Sequence, residues 1–338
     1  MPDLGRLPHN AELAALLAQP LDSHVQTQIE QTLIKPLDGY LSKSGKRFRS
    51  QILEIGFHLA DEGRTPKATA DALCEKGTFL IEMIHAASMV VDDIEDQSEQ
   101  RRGQPAFYRQ VGLPVALNAG NWLYFWPLER IKTWGLAPER ELAVYRLCHS
   151  ALLRAHFGQA LDVGVPIDSV PQDKVWETCL ASLELKTGAL MGLAADLGGA
   201  LAGADDATVK LLHDFGVAFG ITLQMFDDIS NLLPGTGPLP DPKQYEDLKL
   251  RRPSWVWACA AHASSDQEYA RLIEAVRHLP DPTWVEAWLD RQALPMRAKA
   301  MAVEHLDGAF GPLEERLGSK EKLSWLREIG DKLKKAYG

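Results

Sequence analysis

Asp92, Asp93, Glu95 and Asp96 close the apolar run FLIEMIHAASMVV that begins at Phe79, and Arg101, Arg102 and Gly103 follow them. Asp92 and Asp96 stand at i and i+4, so a helix sets both on one face, where without a cation they would repel each other. A divalent metal relieves that repulsion. Few hard oxygen ligands suit Mg²⁺ that keeps several waters and takes its other oxygens from a phosphorylated substrate. An arginine pair suits the phosphate oxygens left over. The first reading is therefore a Mg-diphosphate site at the mouth of an apolar pocket. Taken alone, the DDxxD pattern equally describes an exposed acidic helix end followed by a basic turn.

The pattern has an echo. Asp227-Asp228-Ile229 ends a second long apolar helix as Asp92-Asp93-Ile94 ends the first, and two acid-tipped helices facing each other would clamp a metal cluster from both sides. Basic clusters also gather at helix ends: Lys46, Arg47 and Arg49; Arg101 and Arg102; Lys186; and Lys249, Arg251 and Arg252. Each alone reads as solvated surface. Beside acidic tips, in a chain of net charge −10, they suggest a site that neutralises two anions at once. The acidic balance argues against a nucleic-acid partner, which requires a basic footprint.

The elements that must position these residues are helical. Nearly every segment repeats near 3.6 residues and convincing alternating strands are absent. The spacing predicts long helices over 67–93 and 207–233, which carry the two acid tips, and others over 48–60, 113–134 and 139–163. Pro36 should kink or divide a helix over 25–41, and Thr187 with Gly188 should break one that starts near Val175. No composition shift marks a linker in the 338 residues, so the expected architecture is a single all-α domain, 1–338, with a core of antiparallel helices. Cys74, Cys148, Cys179 and Cys259 form no CxxC pair and read as small buried hydrophobes of a reducing compartment. The N-terminus lacks the basic start and apolar run of a secretory signal, and no uncharged stretch reaches membrane-spanning length. The nearest, Gly188 to Ala204, is interrupted by Asp196, and its small residues suit close packing of two helices. A cytoplasmic protein is expected.

GKRFR at 45–49, HAASMVVDDIED at 85–96, RRGQP at 101–105, KTGAL at 186–190, GITLQMFDDI at 220–229 and DLKLRRPSW at 247–255 form an ordered set. It resembles the trans-isoprenyl diphosphate synthases, the polyprenyl synthetase family. The resemblance implies a helical bundle around an apolar cavity, isopentenyl diphosphate and an allylic diphosphate as substrates, Mg²⁺ as cofactor, and a homodimer. It also implies roles. Asp92 and Asp96 would bind two Mg²⁺ ions on the allylic diphosphate and Asp227 a third, while Arg101, Lys186 and Arg252 contact that diphosphate. Lys46, Arg49, His85 and Arg102 would hold isopentenyl diphosphate. Thr187 and Gln224 would sit near the reacting carbons, with Asp93 and Asp228 behind the ligands.

Four positions depart from the family pattern: Val91 and Asn121, where many members have His and Asp; Asn231, in place of the last Asp of the second acidic motif; and Pro234 to Pro242, which lacks the usual Gly-Lys, although Lys243 or Lys249 could substitute. They leave room for an altered substrate, slower turnover or a catalytically reduced subunit, and the competing readings are a class I terpene cyclase or atypical prenyltransferase and a non-catalytic subunit of a heteromeric synthase. The complete GKRFR, His85 and Arg102 set favours chain elongation. Ala87 and Ser88, one turn before the carboxylates, are small where short-chain members often place an aromatic. An open first turn, about 5.4 Å deep, should admit geranylgeranyl diphosphate or a longer product, with Trp122, Phe125 and Trp126 as candidates for a floor.

Overall fold

Helical periodicity along nearly the whole chain becomes eighteen α-helices in the computed structural model, which describes residues 7–8, 10–17, 19–42, 47–233, 244–317 and 320–336. In order they are α1 (Asn10–Leu16), α2 (Ser23–Ile29), α3 (Lys35–Leu41), α4 (Phe48–Asp61), α5 (Lys67–Glu95), α6 (Phe107–Val111), α7 (Leu113–Ile131), α8 (Pro138–Gly164) and α9 (Gln172–Leu183). Then follow α10 (Ala189–Ala202), α11 (Asp206–Ser230), α12 (Glu246–Leu250), α13 (Trp255–Ala263), α14 (Asp266–Arg277), α15 (Thr283–Gln292), α16 (Leu294–Gly308), α17 (Phe310–Leu317) and α18 (Lys320–Ala336).

Two predicted interruptions take another form. A π segment over Glu30–Ile34 joins α2 to α3 directly before Pro36, so the ring and its missing N–H are accommodated by a widened turn. Likewise, Glu184–Gly188 is a π segment between α9 and α10, not a break. It carries Lys186 and Thr187. The described residues add one feature the periodicity did not suggest, a minimal hairpin in which Gln100 pairs with Pro105 and Arg101 with Gln104. Arg102 and Gly103 at its tip both have positive φ, 54° and 71°, the backbone of a tight hairpin turn.

Helix α10 lies at the centre and packs against α4, α5, α8 and α11. Its small residues permit this: a Cβ added at Gly198 would lie 2.4 Å from the Leu53 carbonyl oxygen of α4. Helix α5 is shared between two cores. Leu80, Ile81 and Ile84 face the main core, and Phe79, Met83, Ala87 and Val90 face a smaller one against α7. All four cysteines are buried and free. Among the described residues, no helix is long and apolar enough to cross a membrane.

Candidate active site

The ends of α5, α8 and α11, the π segment at 184–188 and the short α12 surround a cavity of about 1040 Å³. The period of α5 decides which of its residues reach it. Glu82, His85, Ser88, Asp92 and Asp96 share one stripe and line the cavity, whereas Ala87 is fully buried on the face toward α7. Ser88 is therefore the small residue on the cavity wall. Of the bulky α7 residues, Trp126 is buried edge-on to Phe79 and stacked on Trp122, and Phe125 is 70% exposed. Tyr124 lines the cavity instead, its ring 5.2 Å from that of His156 on α8.

Both acid tips reach the cavity, Asp92 and Asp96 from α5 and Asp227 and Asp228 from α11. Protein cations lie between the carboxylates. Lys186 Nζ is 2.9 Å from Asp92 Oδ1 and 2.6 Å from Asp162 Oδ2. Arg101 donates to Asp93 at 2.8 Å and stands 3.4 Å from Asp92, while Arg252 pairs with Asp96 and donates to the Asp162 carbonyl at 3.0 Å. Gln159 donates to both Asp92 and Glu95. Burial works to raise the Asp92 carboxyl, but Lys186, Arg101 and Gln159 hold it below the usual carboxylate range. Asp96 behaves oppositely: burial and the Asp92 charge push it up to about 6 despite Arg252. Burial would lower the Lys186 ammonium, yet Asp92 and Asp162 hold it well above its ordinary value.

The Asp92 charge still repels that of Asp96 within this set of cations, and a divalent cation relieves such repulsion. Among the described residues, no three His, Cys, Asp or Glu side chains converge on one point. Asp92 and Asp96 on the cavity wall are hard oxygen donors of the kind that fit Mg²⁺ held by one or two carboxylates, with its other oxygens from water and substrate.

Arg49, His85 and Arg102 supply a second basic set on the same cavity. Burial, with Arg49, Arg102 and Arg101 nearby, holds the His85 imidazole well below its usual value, so the ring is neutral. Among the described residues its buried Nδ1 has no hydrogen-bond partner, and an N–H there could serve an anion's oxygen. Lys46 lies outside the described residues.

Thr187 and Gln224 meet where the π segment crosses α11. The Thr187 hydroxyl donates to Gln224 Oε1 at 2.9 Å, Gln224 Nε2 donates to Asp228 Oδ1 at 2.9 Å, and the Trp255 N–H donates to Asp228 Oδ2 at 2.7 Å. This chain orients the Gln224 amide. Burial and Asp247 push the Asp228 carboxyl well up. The π segment fits because α8 presents glycine to it: a Cβ at Gly158 would lie 2.3 Å from the Lys186 nitrogen.

Reading the sequence missed Gln159, Asp162 and Asp247. Gln159 and Asp162 are spaced i, i+3 in the last turns of α8, a one-face polar pair that could have been noticed beside Lys186. Asp247 opens the DLKLRRPSW motif, where local spacing does not distinguish it from a solvated acid beside a basic run. Among the departures, Val91 and Asn231 line the cavity, Asn121 is exposed, residues 234–243 lie outside the described structure, and Lys249 is exposed on α12.

A sequence model described as "Polyprenyl synthetase" matches residues 30–287. The chain is similar to a geranylfarnesyl diphosphate synthase of Natronomonas pharaonis, 29% identical over 231 residues that cover 66% of this chain and 67% of the relative. It is similar also to a geranylgeranyl diphosphate synthase of Sulfolobus acidocaldarius, 32% identical over 195 residues, 56% of each chain. The matched stretch thus spans about half to two thirds of these relatives. Among solved structures, a geranylgeranyl pyrophosphate synthetase from Pyrococcus horikoshii superposes with a TM-score of 0.76 at 22% identity, covering 90% of both chains. That last likeness is one of fold.

Proposed function

This chain belongs to the polyprenyl synthetase family, and on that premise we propose that it condenses isopentenyl diphosphate with an allylic diphosphate, forming geranylgeranyl diphosphate or a longer chain. The observation that carries the reading is the pair of basic sets on one cavity. Lys186, Arg101 and Arg252 surround the Asp92–Asp96 tip, and Arg49, His85 and Arg102 form the second set. Two sets suit two diphosphates. A cyclase acting on one allylic diphosphate needs only the first.

The family uses Mg²⁺, and here Asp92 and Asp96 would hold two ions and Asp227 a third. Bound metal supplies Lewis-acid stabilisation of the negative charge that develops on the leaving diphosphate. Lys186, Arg101 and Arg252 exchange their carboxylate partners for diphosphate oxygens and keep that group oriented while the C–O bond breaks. The walls exclude water from the allylic carbon as positive charge builds there, and the oxygens of Thr187 and Gln224 lie nearby to stabilise it. Arg49, His85 and Arg102, with Lys46, hold isopentenyl diphosphate so that its double bond meets the allylic carbon. The new C–C bond forms, and a proton leaves the adjacent carbon for an oxygen of the released diphosphate, which restores an allylic double bond.

The chain acts as one all-α domain that pairs with a second copy. Supporting the pairing, Leu113, Leu117 and Phe125 of α7 and Leu142, Leu153 and Phe157 of α8 are large, apolar and exposed on neighbouring helices.

Incubation with Mg²⁺, isopentenyl diphosphate and dimethylallyl, geranyl or farnesyl diphosphate, with products sized by mass, tests the reading. Elongated diphosphates support it. Product from an allylic diphosphate alone would instead make the protein a cyclase, and activation of another synthase without turnover of its own would make it a partner subunit.

A further inference from the structure

The tip of α11 carries an amide, Asn231, at the place where the family pattern has a carboxylate. Its backbone and its side chain are both used. The Asn231 backbone carbonyl accepts from the Tyr245 N–H at 2.8 Å, and the side-chain Nδ2 donates to Asp247 Oδ2 at 3.0 Å. These bonds tie the end of α11 to α12, the five-residue helix that brings Asp247 to the cavity wall.

A helix that short has little stability of its own, and it is flanked by two left-handed residues, Tyr245 at φ 60° and Arg251 at φ 57°. Its placement therefore depends on what it docks against. From Asp247 the connection continues: the Arg252 N–H donates to the Asp247 carbonyl at 3.0 Å, and the Arg252 guanidinium spans the cavity to Asp96 and to the Asp162 carbonyl. A carboxylate at 231 would remove the Nδ2 donor and set a second acidic group beside Asp247, whose carboxyl burial already pushes up to about 7, and their repulsion would loosen α12. An amide of the same shape donates instead.

We infer that Asn231 is a positioning residue whose side-chain amide, reinforcing the backbone bond from Tyr245, clamps the 245–252 turn to the end of α11, keeping Asp247 on the cavity wall and Arg252 within reach of the allylic diphosphate. The missing carboxylate is thus exchanged for a hydrogen bond, and Asp247 provides an acidic group on that wall from another element. The assignment of Arg252 to the allylic diphosphate rests on the proposed function.

The test compares wild type with Asn231→Asp, Asn231→Ala and the exchanged pair Asn231→Asp/Asp247→Asn. Calorimetric binding of farnesyl diphosphate with Mg²⁺ is read beside the KM for each substrate. Loss of the Nδ2 bond to Asp247 should weaken farnesyl diphosphate binding and raise its KM about tenfold, while the KM for isopentenyl diphosphate stays within about twofold, a split that general loosening would not produce. In the exchanged pair, amide and carboxylate trade places, and binding should return to within about threefold of wild type. Farnesyl diphosphate binding by Asn231→Asp or Asn231→Ala as tight as wild type would overturn the inference, as would an exchanged pair no better than Asn231→Asp. Should Asn231→Asp fail to fold, Asn231→Ala adds no charge and decides alone. A wild type that binds both diphosphates but joins nothing would overturn the proposed function and leave the binding comparison to judge Asn231.

Discussion

Asp92 accepts hydrogen bonds or ion pairs from Lys186, Arg101 and Gln159 together, so at the scale of single residues it is the most informative position to change. Its side chain keeps 20% of its exposure, and Lys186 retains Asp162 when Asp92 is removed. Asp92→Ala should therefore leave thermal unfolding by circular dichroism nearly unchanged, while product formation falls by about 10²–10³ or more, the scale of losing one electrostatic stabiliser. Retained turnover would return the DDxxD pattern to an ordinary acidic helix end. The i, i+4 spacing made this pair readable from the sequence, since helix geometry sets it within five residues. The approach of Asp162 to Lys186 was not readable in that way, because it depends on α8 meeting the π segment.

Two expectations belong to the elements. The first concerns the wall formed by α5, α7 and α8. Ser88→Phe would fill the cavity one turn below Asp92 and should shorten the main product. Tyr124→Ala would open the opposite wall and should lengthen it. Mass analysis of products from farnesyl diphosphate reads both, and an unchanged distribution in both variants would place the limit on chain length elsewhere. The second concerns the packing of α10 on α11, where His213 Nδ1 lies 2.9 Å from Asp196 Oδ2. The hydrogen bond to Asp196, reinforced by its charge and opposed by burial and Arg154, raises the His213 pKa. A group raised on folding adds stability that is complete below its unfolded value of about 6.5 and is lost as pH rises through the folded value. The melting temperature of wild type should therefore exceed that of His213→Gln more at pH about 6 than at pH about 9, and an equal difference at both would remove the ion pair from the account. The long helices were visible as apolar periodicity, and their observed ends lie within a few residues of expectation. The π segments were not, because a widened turn keeps the residue pattern of a helix and is selected by what presses on it, here Gly158 of α8 and Gly220 of α11 beside the 184–188 backbone.

For the whole molecule, the exposed apolar residues of α7 and α8 bear on assembly. If a second copy covers them, the protein should sediment as two chains, and Phe125→Asp with Phe157→Asp should shift it toward one, since each new charge would be buried without a partner. A single-chain wild type would refute the pairing. By itself the sequence determined the all-α class, the two acid-tipped helices and the basic sets beside them, because helical period and i, i+4 spacing are local and need no knowledge of distant contacts. Tertiary structure alone decided that Ser88 and not Ala87 lines the cavity, that Tyr124 replaces the tryptophans on its wall, and that Lys186 stands between Asp92 and Asp162. It also decided that Asn231 holds Asp247. Each of these is a meeting of residues far apart in the chain, as with the 94 positions between Asp92 and Lys186, and such meetings are set by how the helices pack around α10.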